Sequence, residues 1–316
     1  MHWTYRLPIG RPSPVLDRYH QAKINMKIII YISFFLPLNS CKAQEKEGVL
    51  MNPTLMPNME YKTSVHTENN TIIEYVGNNA IIENLKSKGI EYPITSNSKN
   101  LIVSTMRTGI MNYNQEFTIK STYDKVETEL TGSITKLKEK NSSIEKLQGA
   151  QAYGKVLKDL KIEIDSIIGL KDESFRTTIE QGMKTILNQI EYPKEHIKKG
   201  ESFTINTPVK FPAGNGVMMD MIVTNKYLLD SISNLIAYFS IEQDIKIETS
   251  IEQTDLIVEG KGSGLIQYDI ENQSNKLYYT ELLMNSEVEV SGVKVKTTAL
   301  TKSKTTTEIR KPDDNK

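Results

Sequence analysis

From Met59 onward the apolar positions recur mainly with period two, the mark of half-buried β-strands. The stretch "YKTSVHTENNTIIEYVG" reads as two β-branched runs around Glu68-Asn69-Asn70, which predicts a hairpin. "NLIVSTMRTG" and "NQEFTIKSTYDKVETELTG" continue the pattern; in the second, Phe117 and Ile119 alternate with polar neighbours. "KLKEKNSSIEK" is polar throughout and reads as a loop. "LKIEIDSIIG" is a further strand, with Leu160, Ile162 and Ile164 on one face.

One segment breaks the period. In "DESFRTTIEQGMKTILNQI", Phe175, Ile179, Met183, Ile186, Leu187 and Ile190 fall on one side of a helix. Asp172 can cap its start and Pro193 lies just past its end. The C-terminal part returns to strands: "SFTINTPVKF", "NGVMMDMIVTNKYLL", "LIAYFSIEQDIKIETSIEQ", and then about three more up to Ile309. "DIENQSNKL" is a turn between two of them. The expected class is mainly β (α+β): a large curved antiparallel sheet or two β-meander halves, with one amphipathic helix in the middle. The halves cover about 59–145 and 200–310, with a helix-bearing middle over 150–192; together they make a single β-rich domain, 59–310, followed by a tail, 311–316.

The N-terminal region has a different pattern. Ile28 to Leu38 is a nearly continuous apolar run, far short of the roughly 20 residues a membrane-spanning helix needs. It suits the core of a secretory signal, with Lys27 as its basic flank. Residues 26–40 therefore read as a signal peptide. Residues 1–25 are Pro-rich and basic without a helical or strand period, and they are expected to be a non-native extension, with translation starting at Met26. Glu45 to Met59, with Gly48, Pro53 and Pro57, lacks a clear period; residues 41–58 are expected to be a tether.

The chain's lone cysteine, Cys41, sits just after the signal. "LNSC" (Leu38 to Cys41) resembles the bacterial lipobox, in which the cysteine thiol takes a diacylglycerol and becomes the new N-terminus. The competing route is cleavage after Ala43, before Gln44, which would discard Cys41. Lipidation at Cys41 is the favoured reading, and the Ser-Cys-Lys start resembles envelope lipoproteins of the Bacteroidota type. "HIKKGESFTI" and "VEGKGSGLIQYDIENQSNKL" likewise resemble a Bacteroidota lipoprotein domain family of unknown function, over roughly Met59 to Ile309. That resemblance implies a cell-envelope protein, anchored in the outer membrane or periplasmic, and carries over no catalytic residues.

Composition narrows the chemistry. The full chain balances 39 basic against 39 acidic residues; without residues 1–40, which hold five Lys/Arg and one Asp, it is slightly acidic. Nucleic acid, which needs a basic face, is not an expected partner. Past Cys41 there is no cysteine for a disulfide or thiolate metal site. Beyond the extension only His66 and His196 remain, too few and too far apart for a triad or zinc site. No catalytic, cofactor-binding or metal-binding residue is expected.

Three further stretches hold residue types that could carry chemistry. "GKGSG" (Gly260 to Gly264) runs into a strand rather than a helix, so a bulge or close packing is favoured over a phosphate loop. Asp269, Glu271 and Asn275 lack the glycine and distal glutamate of a calcium loop. Tyr278 and Tyr279 should face opposite sides of a strand, and Met218, Met219 and Met221 are expected mainly as core filling. The expected function is a non-enzymatic binding module for a hydrophobic ligand or another envelope protein, held to the membrane through Cys41. The alternatives are an envelope scaffold without a pocket, or a carboxylate-based hydrolase.

Overall fold

The computed structural model describes residues 48–77, 79–133, 144–171, 173, 176, 177, 179, 180, 192–214, 217–251, 254–290 and 293–312. The signal peptide, Cys41 and residues 41–47 of the expected tether lie outside the described residues, as does most of the segment expected as the central helix. Of that segment, residues 173, 176, 177, 179 and 180 are helical, and Ile179 is buried.

One antiparallel sheet of eleven strands forms the fold, in the order β5-β4-β3-β2-β1-β11-β10-β9-β8-β7-β6. The strands are β1 (Glu60–Val76), β2 (Ile94–Thr108), β3 (Phe117–Thr131), β4 (Gln151–Val156), β5 (Ile162–Ile168), β6 (Ser202–Gly214), β7 (Val217–Ser233), β8 (Ile236–Ile251), β9 (Thr254–Asp269), β10 (Ser274–Val290) and β11 (Val293–Arg310). A short helix, α1 (Asn79–Ser87), joins β1 to β2. The chain meanders outward from β1 to β5, then returns from β6 to β11. Of the two arrangements expected, the chain forms the large antiparallel sheet rather than two separate meanders. β1 and β11 pair along their whole length, from Glu60↔Arg310 to Val76↔Lys294.

β1 corrects one expectation. Glu68-Asn69-Asn70 is no turn; it lies mid-strand in a 17-residue element. Period two runs unbroken through it: Glu68 and Asn70 point outward, and Asn69 is buried. Asn69 accepts a hydrogen bond from the Thr301 hydroxyl (2.9 Å) and donates to Ser98 Oγ (3.3 Å). Turn propensity yields here to side-chain bonds that the two neighbouring strands supply.

The sheet has one buried and one open face. The open face of β1, β10 and β11 carries Lys62, His66, Glu68, Glu74, Glu281, Glu287, Lys294, Lys296, Lys302 and Lys304, with cross-strand pairs such as Lys302–Glu281 (3.2 Å) and Lys99–Glu68 (3.8 Å). Ile72 and Leu283 stand among them, 43 % and 45 % exposed. No helix among the described residues is long and apolar enough to cross a membrane.

Three apolar clusters occupy the buried face. One joins β1–β5 around Tyr61, Phe117, Tyr123 and Ile162. A second joins β6–β10 around Tyr227, Leu229, Phe239, Ile266 and Tyr268. The third lies at the opposite strand ends, where α1 lays Leu85 against Ile73, Tyr75, Ile94 and Val295. Sequence reading did not anticipate α1, a nine-residue helix too short to establish a period.

The segment before β1 also differs from expectation. Where the structure describes it, it is a strap packed across one end of the sheet. Val49, Met51, Thr54 and Leu55 are each at most 3 % exposed. Val49 bridges to Ile197, Thr54 N–H donates to Gln273 O (2.7 Å), and Met56 N–H donates to the Tyr61 hydroxyl (2.6 Å). Val49 and Met51 join the second cluster, and Leu55 joins the first.

Glu60 fastens the β2-β1-β11 seam beside this strap. Its side chain is 4 % exposed and accepts from Arg107 Nε (2.7 Å) on one side and Arg310 Nε (2.7 Å) on the other. The Arg107 hydrogen bond, working against burial and aided by Arg310, holds its carboxyl below the usual range. Both guanidinium groups are largely exposed, so solvent screening limits the gain. Glu60→Gln is expected to cost about 1 kcal/mol at pH 7. The depressed pKa places this stabilisation above the ordinary glutamate range, and it fades as pH falls through the folded-state value. Urea melts should show a larger difference at pH 7 than at pH 3.

Candidate functional site: an uncharged polar belt on the buried face

Between the apolar clusters, the buried face changes character. On β1 the inward positions from Tyr61 to Tyr75 are Thr63, Val65, Thr67, Asn69, Thr71 and Ile73. On β2 they are Ile94, Ser96, Ser98, Asn100, Ile102, Ser104 and Met106, and on β11 Thr297, Ala299, Thr301, Ser303, Thr305 and Thr307. No charged side chain stands among them. Register aligns them in rows: Thr128–Asn100–Thr67–Ser303–Thr280, and next to it Leu130–Ser98–Asn69–Thr301–Leu282.

Part of this belt satisfies itself. Thr67 and Ser303 hydroxyls meet at 3.3 Å, and the Ser98–Asn69–Thr301 chain crosses three strands. Part does not. The amide nitrogen and oxygen of Asn100 are both buried without a hydrogen-bond partner among the described residues. So are the hydroxyls of Thr128, Thr305 and Ser121. A buried polar group left unpaired costs roughly 1–3 kcal/mol, so these groups call for a partner that the described residues do not supply.

Further round the sheet the belt narrows. Gly260, Gly262 and Gly264 face inward on β9, beside Gln243, whose Nε2 donates to Asn225 Oδ1 (2.7 Å). A Cβ at Gly264 would lie 2.1 Å from Tyr279 O, and one at Gly262 2.7 Å from Glu281 O. Pairing with β10 stays in register across all three glycines. The expected bulge is therefore absent, and close packing is the reason for the glycines. Leu282 and Met284 lean into the space the missing side chains leave. Neither a helix N-terminus nor a loop is present to cradle a phosphate.

Aromatic hydroxyls gather at the strap end. Tyr278 faces inward with the second cluster, while Tyr279 faces out towards Glu281 Oε2 (3.3 Å), as alternation predicts. Burial pushes the phenols of Tyr268 and Tyr278 up to about 12, and those of Tyr192 and Tyr227 upward as well. Phe203 stacks on Tyr227 at 4.9 Å and meets Phe239 edge-on. These rings form a rigid apolar wall that stays neutral at ordinary pH.

The remaining sequence candidates do not converge. His66 sits on the open face of β1 near Ser64, and His196 is exposed in the segment before β6. Asp269 spends both oxygens on Asn272 (2.9 Å each), which closes the β9–β10 turn. Met218, Met219 and Met221 lie on β7 where the backbone alone is described. Among the described residues, no group of three or more His, Cys, Asp or Glu is placed to hold a metal.

Comparison with known proteins adds little. No family model matches the chain, and no curated protein does. Among solved structures, the translocator domain of autotransporter NalP from Neisseria meningitidis aligns at 5 % identity, over 92 % of this chain and 97 % of that one. The TM-score is 0.19.

Proposed function

We propose that this protein is a lipid-anchored binding module of the cell envelope, whose sheet curls around an uncharged amphiphilic molecule. Asn100 is the observation that carries this reading. An amide buried with neither end paired among the described residues, on central strands whose inward positions carry no charge, matches a ligand group that both donates and accepts, such as a hydroxyl or an amide. The apolar walls on either side of the belt match a hydrocarbon portion. A charged headgroup would find no counter-ion on the central strands and would meet a large desolvation cost. The ligand proposed is therefore a hydrophobic molecule with a neutral polar head.

The envelope location rests on the apolar run before Cys41 and its lipobox-like context, the anchor on Cys41 itself. Native mass spectrometry of the protein taken from its own membrane tests both parts. The expected N-terminus is an acylated Cys41, and the expected complex carries an additional non-covalent mass of a neutral amphiphile. A chain starting at Gln44 would remove the anchor. A ligand-free mass under conditions that preserve other lipid complexes would remove the carrier reading.

A further inference from the structure

The loop between β2 and β3 is built in an unusual way for a hairpin tip in water. Ile110 is 80 % exposed, Tyr113 94 % and Met111 44 %. Single exposed apolar residues are ordinary, but three within four positions are a patch. The loop that holds them is well made. Asn112 Oδ1 accepts from the backbone N–H of Asn114 (2.9 Å) and Glu116 (3.0 Å), and Asn112 N–H donates to Glu116 O (2.8 Å). Gln115 completes the turn with φ of 63°. The apolar side chains are thus held outward by a hydrogen-bonded frame and do not fold back onto the sheet.

The position of this loop identifies what it meets. Gly109 O accepts from Asn58 N–H (2.9 Å), and Thr108 Oγ1 donates to Met56 O (2.6 Å), so the loop abuts the strap. The strap leads back to Gly48, seven residues from Cys41. An extended chain of that length reaches at most about 25 Å. A second exposed apolar tip stands at the same end: Leu235, 58 % exposed in the β7–β8 turn, whose carbonyl accepts from Ile270 N–H (2.9 Å). At the opposite end α1 packs on the third cluster with Glu83 and Lys86 exposed; the strap end carries exposed charges as well, Asp159 and Lys161 among them.

From this placement we infer that the strap end is a membrane-docking face, with Ile110, Met111 and Tyr113 seated in the interface of the bilayer that anchors the protein. The inference rests on the anchor proposed at Cys41. An aliphatic pair with an adjacent tyrosine suits that depth: the aliphatic groups enter the acyl boundary and the phenol stays among the headgroups. Docking would orient the strap end, where the chain enters the sheet, towards the lipid surface.

The lone cysteine allows a test that does not depend on acylation in the cell. The chain from Cys41 onward lacks Trp3 and so contains no tryptophan. Coupling Cys41 to a maleimide lipid in phosphatidylethanolamine/phosphatidylglycerol vesicles supplies the anchor. In a Tyr113→Trp variant, emission should shift to shorter wavelength on tethering and be quenched by brominated lipid. A Val76→Trp variant, at the far end of β1, should show neither change. An unshifted, unquenched signal at position 113 in tethered protein overturns the inference, and so does equal quenching at both positions. Mass analysis of the cellular protein separately decides whether Cys41 is the native anchor, so the two failures are distinguishable.

Discussion

Gly264→Val is expected to destabilise the protein by about 3 kcal/mol, near the upper end for overpacking. An added Cβ would lie 2.1 Å from Tyr279 O and 2.9 Å from Thr280 Cγ2. The first of these is backbone of the paired strand, so no flexible side chain can move aside. β9 and β10 would have to separate in the middle of their ladder, where Gly264 pairs with Thr280. The same lesion would disturb Ile266 and Tyr268, which are buried one turn of the pleat away in the second apolar cluster. For a domain of this size the loss corresponds to a melting temperature lower by roughly 6–10 °C. Ser263→Val, one residue away on the open face, adds a β-branched side chain without that clash and should change stability little. Urea midpoints of the two variants provide the check. Equal midpoints would mean that the strands do not approach so closely at Gly264.

The contrast between Ser263 and Gly264 also shows what the sequence makes legible. Alternation placed most strands correctly, because charged residues mark the open face at every second position: Lys294, Lys296, Lys302, Lys304 and Glu308 on β11 are examples. The positions between them were harder to read. Thr301, Ser303 and Thr305 are polar, and polar residues are ordinarily placed in solvent. The usable signal was finer: charged against uncharged polar, not polar against apolar. With it, Asn69 would have read as an inward residue of one long strand, not as part of a turn. The strap carried a similar signal, since Val49, Met51, Pro53 and Leu55 are apolar at alternate positions; two prolines obscured it. The β1–β11 pairing was not legible at all. It joins residues some 218 to 250 positions apart, and no local preference encodes such a partner.

Asn100→Leu should separate ligand binding from folding. Leucine has the branched shape and heavy-atom count of asparagine, is somewhat larger, and carries none of its polar atoms. In ligand-free protein the substitution removes two buried unpaired groups, and stability is expected to rise by about 1–3 kcal/mol. Most buried polar-to-apolar changes break hydrogen bonds and destabilise, so the sign itself is diagnostic. Binding should move the other way. A ligand head that bonds to the Asn100 amide would be left unpaired against a methyl group, weakening the complex by roughly 10–100-fold. The co-purifying mass should therefore shrink or vanish in native spectra while the apo protein melts later. Thr128→Val, which removes one unpaired hydroxyl from the same row while conserving shape, should produce a smaller change of the same kind. Asn70→Leu, on the open face of β1, should affect neither quantity. If Asn100→Leu instead lowers apo stability, its amide is satisfied within the folded chain, and the belt is a structural layer. If the apo protein gains stability and still retains the ligand, the amphiphile lies elsewhere on the buried face, against the aromatic wall of Phe203, Tyr227 and Tyr278.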